Sequence, residues 1–225
     1  MPSLLQLPDE VIHAIADILL DAARKHLVNL SLVNKRLQRI IFPVLFSRIA
    51  LARNIRTKLI GLIRTTSVHA HIRRLLITVD AFHLPVTEGW DLAMKMLQMQ
   101  MPDLNDVVLA MWPHDLPFPG IAASALTFPC LPKLRRVFLD IPFNFPNHEP
   151  LSGLKLEDIT WLIHGVHNIV PLICMVSGSS KTVKALTIIS VDIANNHSMV
   201  DLTKVVPNDL TFPNLGHLTL IKVSF

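Results

Sequence analysis

The chain has 225 residues, 51% of them hydrophobic and 17% charged, with a mean hydropathy of +0.45. That composition excludes a disordered chain and predicts a large core or a sizeable sticky surface. The net charge of +4 comes from scattered basic residues with no Tyr among them, so the basic stripe with stacking aromatics of a nucleic-acid binder is missing. The first predicted element is a helix that opens at Leu7-Pro8-Asp9-Glu10. Pro is tolerated in a first turn, and Asp9 and Glu10 suit the positive end of the helix dipole. Val11, Ile12, Ile15, Ile18 and Leu19 then recur at helical spacing, widened by Ala16 and Leu20. A stripe that wide on a short helix predicts two partners, its own bundle and a second surface.

A second helix is expected from about Ala22 to Leu32, with Leu27, Leu30 and Ser31 on one side. Asn34 can cap a third helix, Lys35 to Phe42. Pro43 is expected to end that helix or restart it as a new turn. Leu45 to Leu51 alternates enough to predict a short strand. Leu7, Pro8, Val11, Ile12, Ile15, Leu32 and Val33 make an apolar set too large for so small a helical unit to bury alone.

The opening Leu7-Pro8-x-Glu10, the Ile and Leu run after it, Leu32-Val33-Asn34-Lys35-Arg36-Leu37 and the closing Phe42-Pro43-x-Leu45-Phe46 resemble an F-box, of the type common in fungal F-box proteins. The likeness covers about 40 residues, in the family's order and spacing. It departs from the pattern at Leu37, where many F-boxes carry Trp, and at Asn34, where Cys is frequent. The resemblance implies an F-box over residues 4–48 that binds a Skp-type adaptor, and through it a cullin of an SCF-type ubiquitin ligase. The residues it assigns to the adaptor are the apolar set above with Lys35.

After Arg53 the rhythm changes. Six segments share the form apolar-x-x-apolar-x-apolar, beginning at Ile72, Leu104, Leu134, Leu156, Val183 and Leu215. Their starts lie between 22 and 32 residues apart, near the leucine-rich-repeat period. The last two apolar positions of each alternate as a strand does, and Pro102, Pro132 and Pro213 announce three of them. Helices are expected over 56–66, 87–99, 166–176 and 197–206. The proline-rich link 142–150 cannot be one. Strand then helix, repeated, predicts an α/β solenoid over residues 49–225, with parallel strands on one side and helices on the other. The segment resembles the degenerate leucine-rich-repeat arrays of F-box proteins, although the Asn or Cys that usually follows the strand is missing from most copies. An ordinary α/β domain is the alternative. Leu218 to Phe225 reads as the middle of a repeat without a cap, which predicts a truncated array.

Chemistry is sparse. Cys130 and Cys174 make no disulfide framework or CxxC motif, and with no secretory signal visible they point to the cytoplasm or nucleus. The run Ile159–Ser180 has no charged residue, but its two His, Asn168 and Pro171 favour a buried strand and helix over a membrane span. His69 with His71, and His164 with His167, lack partner ligands for a metal. Ser177-Gly178-Ser179-Ser180-Lys181-Thr182 lacks the order of a phosphate loop and reads as a helix-to-strand turn. No strand leads into a Gly-rich loop, which disfavours a nucleotide fold. The expectation is an interaction protein rather than an enzyme, with no cofactor, metal, nucleic acid or membrane partner. It recruits a target through its repeats to a ubiquitin ligase, and the target's identity is not written in the exposed strand residues. Two alternatives are an F-box protein acting outside ubiquitin ligases and an α/β ligand-binding or enzymatic domain.

Overall fold

The computed structural model describes residues 4–51, 55–80, 101–112, 121–122, 132–140, 143–144, 155–163, 173, 176–192 and 210–224. A 3-10 turn, Leu4–Gln6, leads into three helices: α1 (Asp9–Ala22), α2 (Arg24–Ser31) and α3 (Lys35–Ser47). The helices close a core of their own from Ile12, Ala16, Leu20, Leu27, Leu37, Ile40, Ile41, Val44 and Leu45, with Leu7, Leu19, Leu30 and Phe46 packed against it. Asn34 caps α3, its side-chain oxygen accepting the Leu37 N–H at 2.8 Å.

The third helix differs from expectation. It does not stop at Pro43 but runs through it to Ser47, so Leu45, Phe46 and Ser47 are helical rather than extended. Pro inside a helix removes one bond, at a cost of about 3 kcal/mol. Burial of Val44 and Leu45 beyond it offsets that cost, each contributing about 1.5–3 kcal/mol. Ser47 is buried as well and satisfies its hydroxyl by donating to the Val44 carbonyl at 2.7 Å. The strand begins only at Arg48.

Beyond α3 the described chain is α/β: β1 (Arg48–Leu51), α4 (Ile55–Arg64), α5 (Thr66–His69), β2 (Arg74–Asp80), β3 (Asp106–Trp112), β4 (Ile121–Ala122), β5 (Arg136–Asp140), β6 (Phe143–Asn144), β7 (Asp158–Ile163), β8 (Ala185–Asp192) and β9 (His217–Ser224). Seven strands form one parallel sheet in the order β1-β2-β3-β5-β7-β8-β9, and β4 pairs with β6 apart from it. Main-sheet order follows chain order, so among the described strands there is no reversal point of the kind where open α/β sheets bind nucleotides. The helix expected at 56–66 is α4. Those expected at 87–99 and 197–206 lie outside the described residues, as do most of 166–176 and of the proline-rich link 142–150.

The repeat pattern explains the register. Leu75, Val107, Val137, Ile159, Leu186 and Leu218 occupy one column across the strands, and Ile77, Leu109, Leu139, Trp161, Ile188 and Leu220 occupy another. With Ile72, Leu104, Leu134, Leu156 and Val183, which precede the strands, these are the apolar positions read from the sequence. Those from Ile72 to Leu186, Trp161 on β7 among them, are buried. Proline sets the approach: Leu104 donates to the Met101 carbonyl at 3.1 Å and Leu215 to that of Phe212 at 3.3 Å, each turn holding Pro at its second position.

Backbone groups link the repeats where a side-chain ladder is lacking. The Arg73 carbonyl accepts from the N–H groups of Asn105 and Asp106, and the Asn105 carbonyl from those of Arg135 and Arg136. The same two-donor step recurs at the carbonyls of Arg135, Glu157 and Lys184. Pairing these groups removes the cost of leaving them bare at a strand entry. Two steps add side chains: Ser179 Oγ accepts from the Leu156 N–H and Thr182 Oγ donates to the Leu156 carbonyl at 2.7 Å, and Asn214 Nδ2 donates to the Lys181 carbonyl at 2.7 Å.

Candidate functional site

Helix α1 carries two apolar stripes rather than one. Advancing about 100° per residue, Ile12, Ala16 and Leu20 fall on one side and are buried. Val11, Ile15 and Ile18 fall on the adjoining side; Ile15 is half-buried, and Val11 and Ile18 are 42% and 76% exposed. At the turn into α3, Leu32 and Val33 are 73% and 63% exposed, with Val28 and Leu5 also open to solvent. Among the described residues the large exposed hydrophobics fall only here and at Leu218, Leu220 and Ile221. Covering side chains such as Ile18, Leu32 and Val33 would release about 1.5–3 kcal/mol each.

An arginine fixes this surface. Arg36, in the first turn of α3, donates from Nε and Nη2 to Asp9 Oδ1 at 2.9 and 2.6 Å. It also donates to the Leu5 carbonyl at 2.5 Å and the Leu7 carbonyl at 2.6 Å. Arg39 adds a bond to Asp9 Oδ2 at 3.2 Å. The start of α1 is thereby held against the start of α3, three residues from Val33. The Arg36 hydrogen bond holds the Asp9 carboxyl below its usual value of 3.8.

The residues assigned to an adaptor divide accordingly. Pro8, Val11, Leu32, Val33 and Lys35 are exposed, and Leu7 and Ile15 are half-buried. Ile12 is 2% exposed and belongs to the bundle core, so it cannot contribute to an outer apolar set. It sits one residue, and so about 100°, from Val11, which is enough to change faces. Sequence reasoning left Ile18, Val28, Leu5 and Arg36 out of the site. Ile18 was legible as the residue one stripe-repeat beyond Val11, and Val28 as the one a turn before Leu32. Nothing in the spacing signalled that Arg36 would reach back across the bundle.

The chain matches no family model, no curated protein and no solved structure.

A second surface lies on the sheet's other face. The first column runs Arg48, Arg74, Asp106, Arg136, Asp158, Ala185, His217, alternating in charge across its middle. Asp106 is shared, at 3.3 Å from Arg74 Nε and 3.5 Å from Arg136 Nη2. Beside this row run Leu76, Val108 and Phe138, half-buried, then Thr160. Arg74, Asp106, Arg136 and Asp158 with Leu76, Val108, Phe138 and Thr160 line an open hollow of about 380 Å³. The strand-entry segments just below are basic: Arg73, Lys133, Arg135, Lys181 and Lys184 stand there against Asp103 and Glu157. Both acids are held below the usual carboxylate range, first by hydrogen bonds from Lys133 and Lys184 respectively.

The two regions meet through polar bonds. Arg24 donates to the Arg48 carbonyl at 3.3 Å, Arg48 pairs with Asp21, and the His71 ring stands edge-on to Phe42 at 5.9 Å. His69 is buried with Nε2 at 2.8 Å from the Leu62 carbonyl, a structural use of the ring. Among the described residues no cluster of three His, Cys, Asp or Glu could hold a metal, and no helix is long and apolar enough to cross a membrane.

Proposed function

We propose that this chain is the substrate-recruiting subunit of an SCF-type cullin–RING ubiquitin ligase: residues 4–48 act as an F-box that docks a Skp-type adaptor, and the leucine-rich-repeat-like array behind it binds a target protein. The observation that carries this reading is the exposed pair Leu32-Val33 beside an LP-x-E opening clamped by Arg36. A small bundle that has closed its own core and still exposes Val11, Ile18, Leu32 and Val33 has a surface built to be covered. The chain contributes no bond-making chemistry. It holds target and ubiquitin-loaded enzyme together and so raises their effective concentration. Arg24 and Asp21 of the dock both contact Arg48 at the start of the array, which joins the two parts.

The test is co-purification. Wild type should retain a Skp-type adaptor and a cullin, and Val33→Asp or Ile15→Asp should lose both. Retention of the adaptor without cullin would place the protein outside ubiquitin ligases, and retention of neither by the wild type would end the reading.

A further inference from the structure

The hollow on the sheet face and the strand-entry edge below it have a charge pattern that selects a partner. Arg74 and Arg136 share one carboxylate, Asp106, whose side chain is 10% exposed, while theirs are 54% and 58% exposed. A nearly buried acid between two open guanidiniums holds each by one corner and leaves the remaining N–H groups facing solvent. At the edge the acids are already taken, Asp103 by Lys133 at 2.5 Å and Glu157 by Lys184 at 2.6 Å. Within the row Asp106 and Asp158 match Arg74 and Arg136 in number, so the surplus of positive charge lies at the edge, where Arg73, Arg135 and Lys181 stand beyond the two lysines already paired. Adjoining the charged row is the apolar row Leu76, Val108, Phe138, too shallow to enclose a small molecule but continuous with the arginines across three strands.

From this we infer that the sheet face binds a polypeptide segment of the target that carries acidic side chains next to bulky apolar ones. The acids engage Arg74 and Arg136, and the apolar groups cover Leu76, Val108 and Phe138. Guanidinium forks match carboxylates in geometry as well as charge. A nucleic acid fits less well. The row offers one aromatic ring, Phe138, where base stacking needs several. A second copy of this chain, itself at +4, brings excess like charge. The inference rests on the target-binding role proposed for the array, and it names the chemistry of that target.

The test uses the full chain and a fluorescent synthetic peptide of interspersed Glu and Leu, with its Gln counterpart and a single-stranded oligonucleotide as rivals. The Glu-Leu peptide is expected to bind and to weaken with added salt. Its Gln counterpart should bind about tenfold less tightly, and Arg74→Gln or Arg136→Gln should each weaken the Glu-Leu peptide about tenfold. Each variant leaves Asp106 one arginine, and an unchanged melting curve confirms its fold. Phe138→Ser should weaken the Glu-Leu and Gln peptides alike. Salt-insensitive binding by wild type, indifference to both arginine variants, or tighter binding of the oligonucleotide at the same residues would overturn the inference. A chain that binds adaptor but not peptide refutes this inference alone, and one that binds peptide but not adaptor refutes the proposed function alone.

Discussion

The helical block and the sheet are both rich in Leu, Ile and Val, yet they spend them differently. The sheet places its repeat residues from Ile72 to Leu186 inward and turns charged and half-buried side chains outward. The block buries Ile12, Ala16 and Leu20 and then presents a second apolar stripe to water. Helix geometry permits this, because a cylinder has room for two stripes; a strand, with period two, has only an inner and an outer face. The difference is that the block leaves an apolar stripe in water while the sheet presents a charged face; under the proposed function the first is the dock and the second the surface that selects a target.

The largest effect that would sharpen this comparison is in the sheet. Trp161→Ala removes a fully buried ring on β7 and is expected to cost about 3–5 kcal/mol. Hydrogen exchange should show β5, β7 and β8 losing protection while α1–α3, which have their own core, keep theirs. Equal loss in both regions would show that the two cores are one cooperative unit.

An intermediate effect lies at the clamp. Arg36→Ala should lower the melting temperature modestly at neutral pH, because both partners are partly exposed. The sign of the pH dependence follows from Asp9. Its carboxyl is held below 3.8 in the folded chain, so its contribution is fully present above that value and is lost as pH falls through the lower, folded one. The gap in melting temperature between wild type and variant should therefore narrow on acidification below 3.8. A constant gap would assign the effect to the Leu5 and Leu7 carbonyls instead.

The smallest effect is at the far end of one register column, set against a large one at its near end. Leu75 is 0% exposed and Leu218, the equivalent residue on β9, is 57% exposed. Leu218→Ser should change stability by no more than about 0.5 kcal/mol, whereas Leu75→Ser should cost about 2–5 kcal/mol in a denaturant titration.

Much of this was legible beforehand. The six apolar triplets were read in register, because each strand needs its inward pair and each turn its anchor. The Asn34 cap was also legible, since its chemistry is local. What escaped the sequence was decided by tertiary packing. Pro43 reads as a stop until Val44 and Leu45 are seen to be buried beyond it. Ile12 and Val11 are indistinguishable as apolar neighbours until the bundle chooses one. Arg36 reads as an ordinary surface base, and its reach to Leu5, Leu7 and Asp9 depends on how α3 crosses α1. The alternation Arg74, Asp106, Arg136, Asp158 was hidden because its members lie 22 to 32 residues apart and become neighbours only across strands.

The central claim is that the second apolar stripe and the Leu32-Val33 turn are a docking surface. Calorimetric titration of the purified chain with a purified Skp-type adaptor tests it most directly, comparing wild type with Val33→Asp. The account expects saturable binding by wild type, and for Val33→Asp an unchanged melting temperature with binding abolished. Failure of the wild type to bind, or undiminished binding by a folded Val33→Asp, would contradict it.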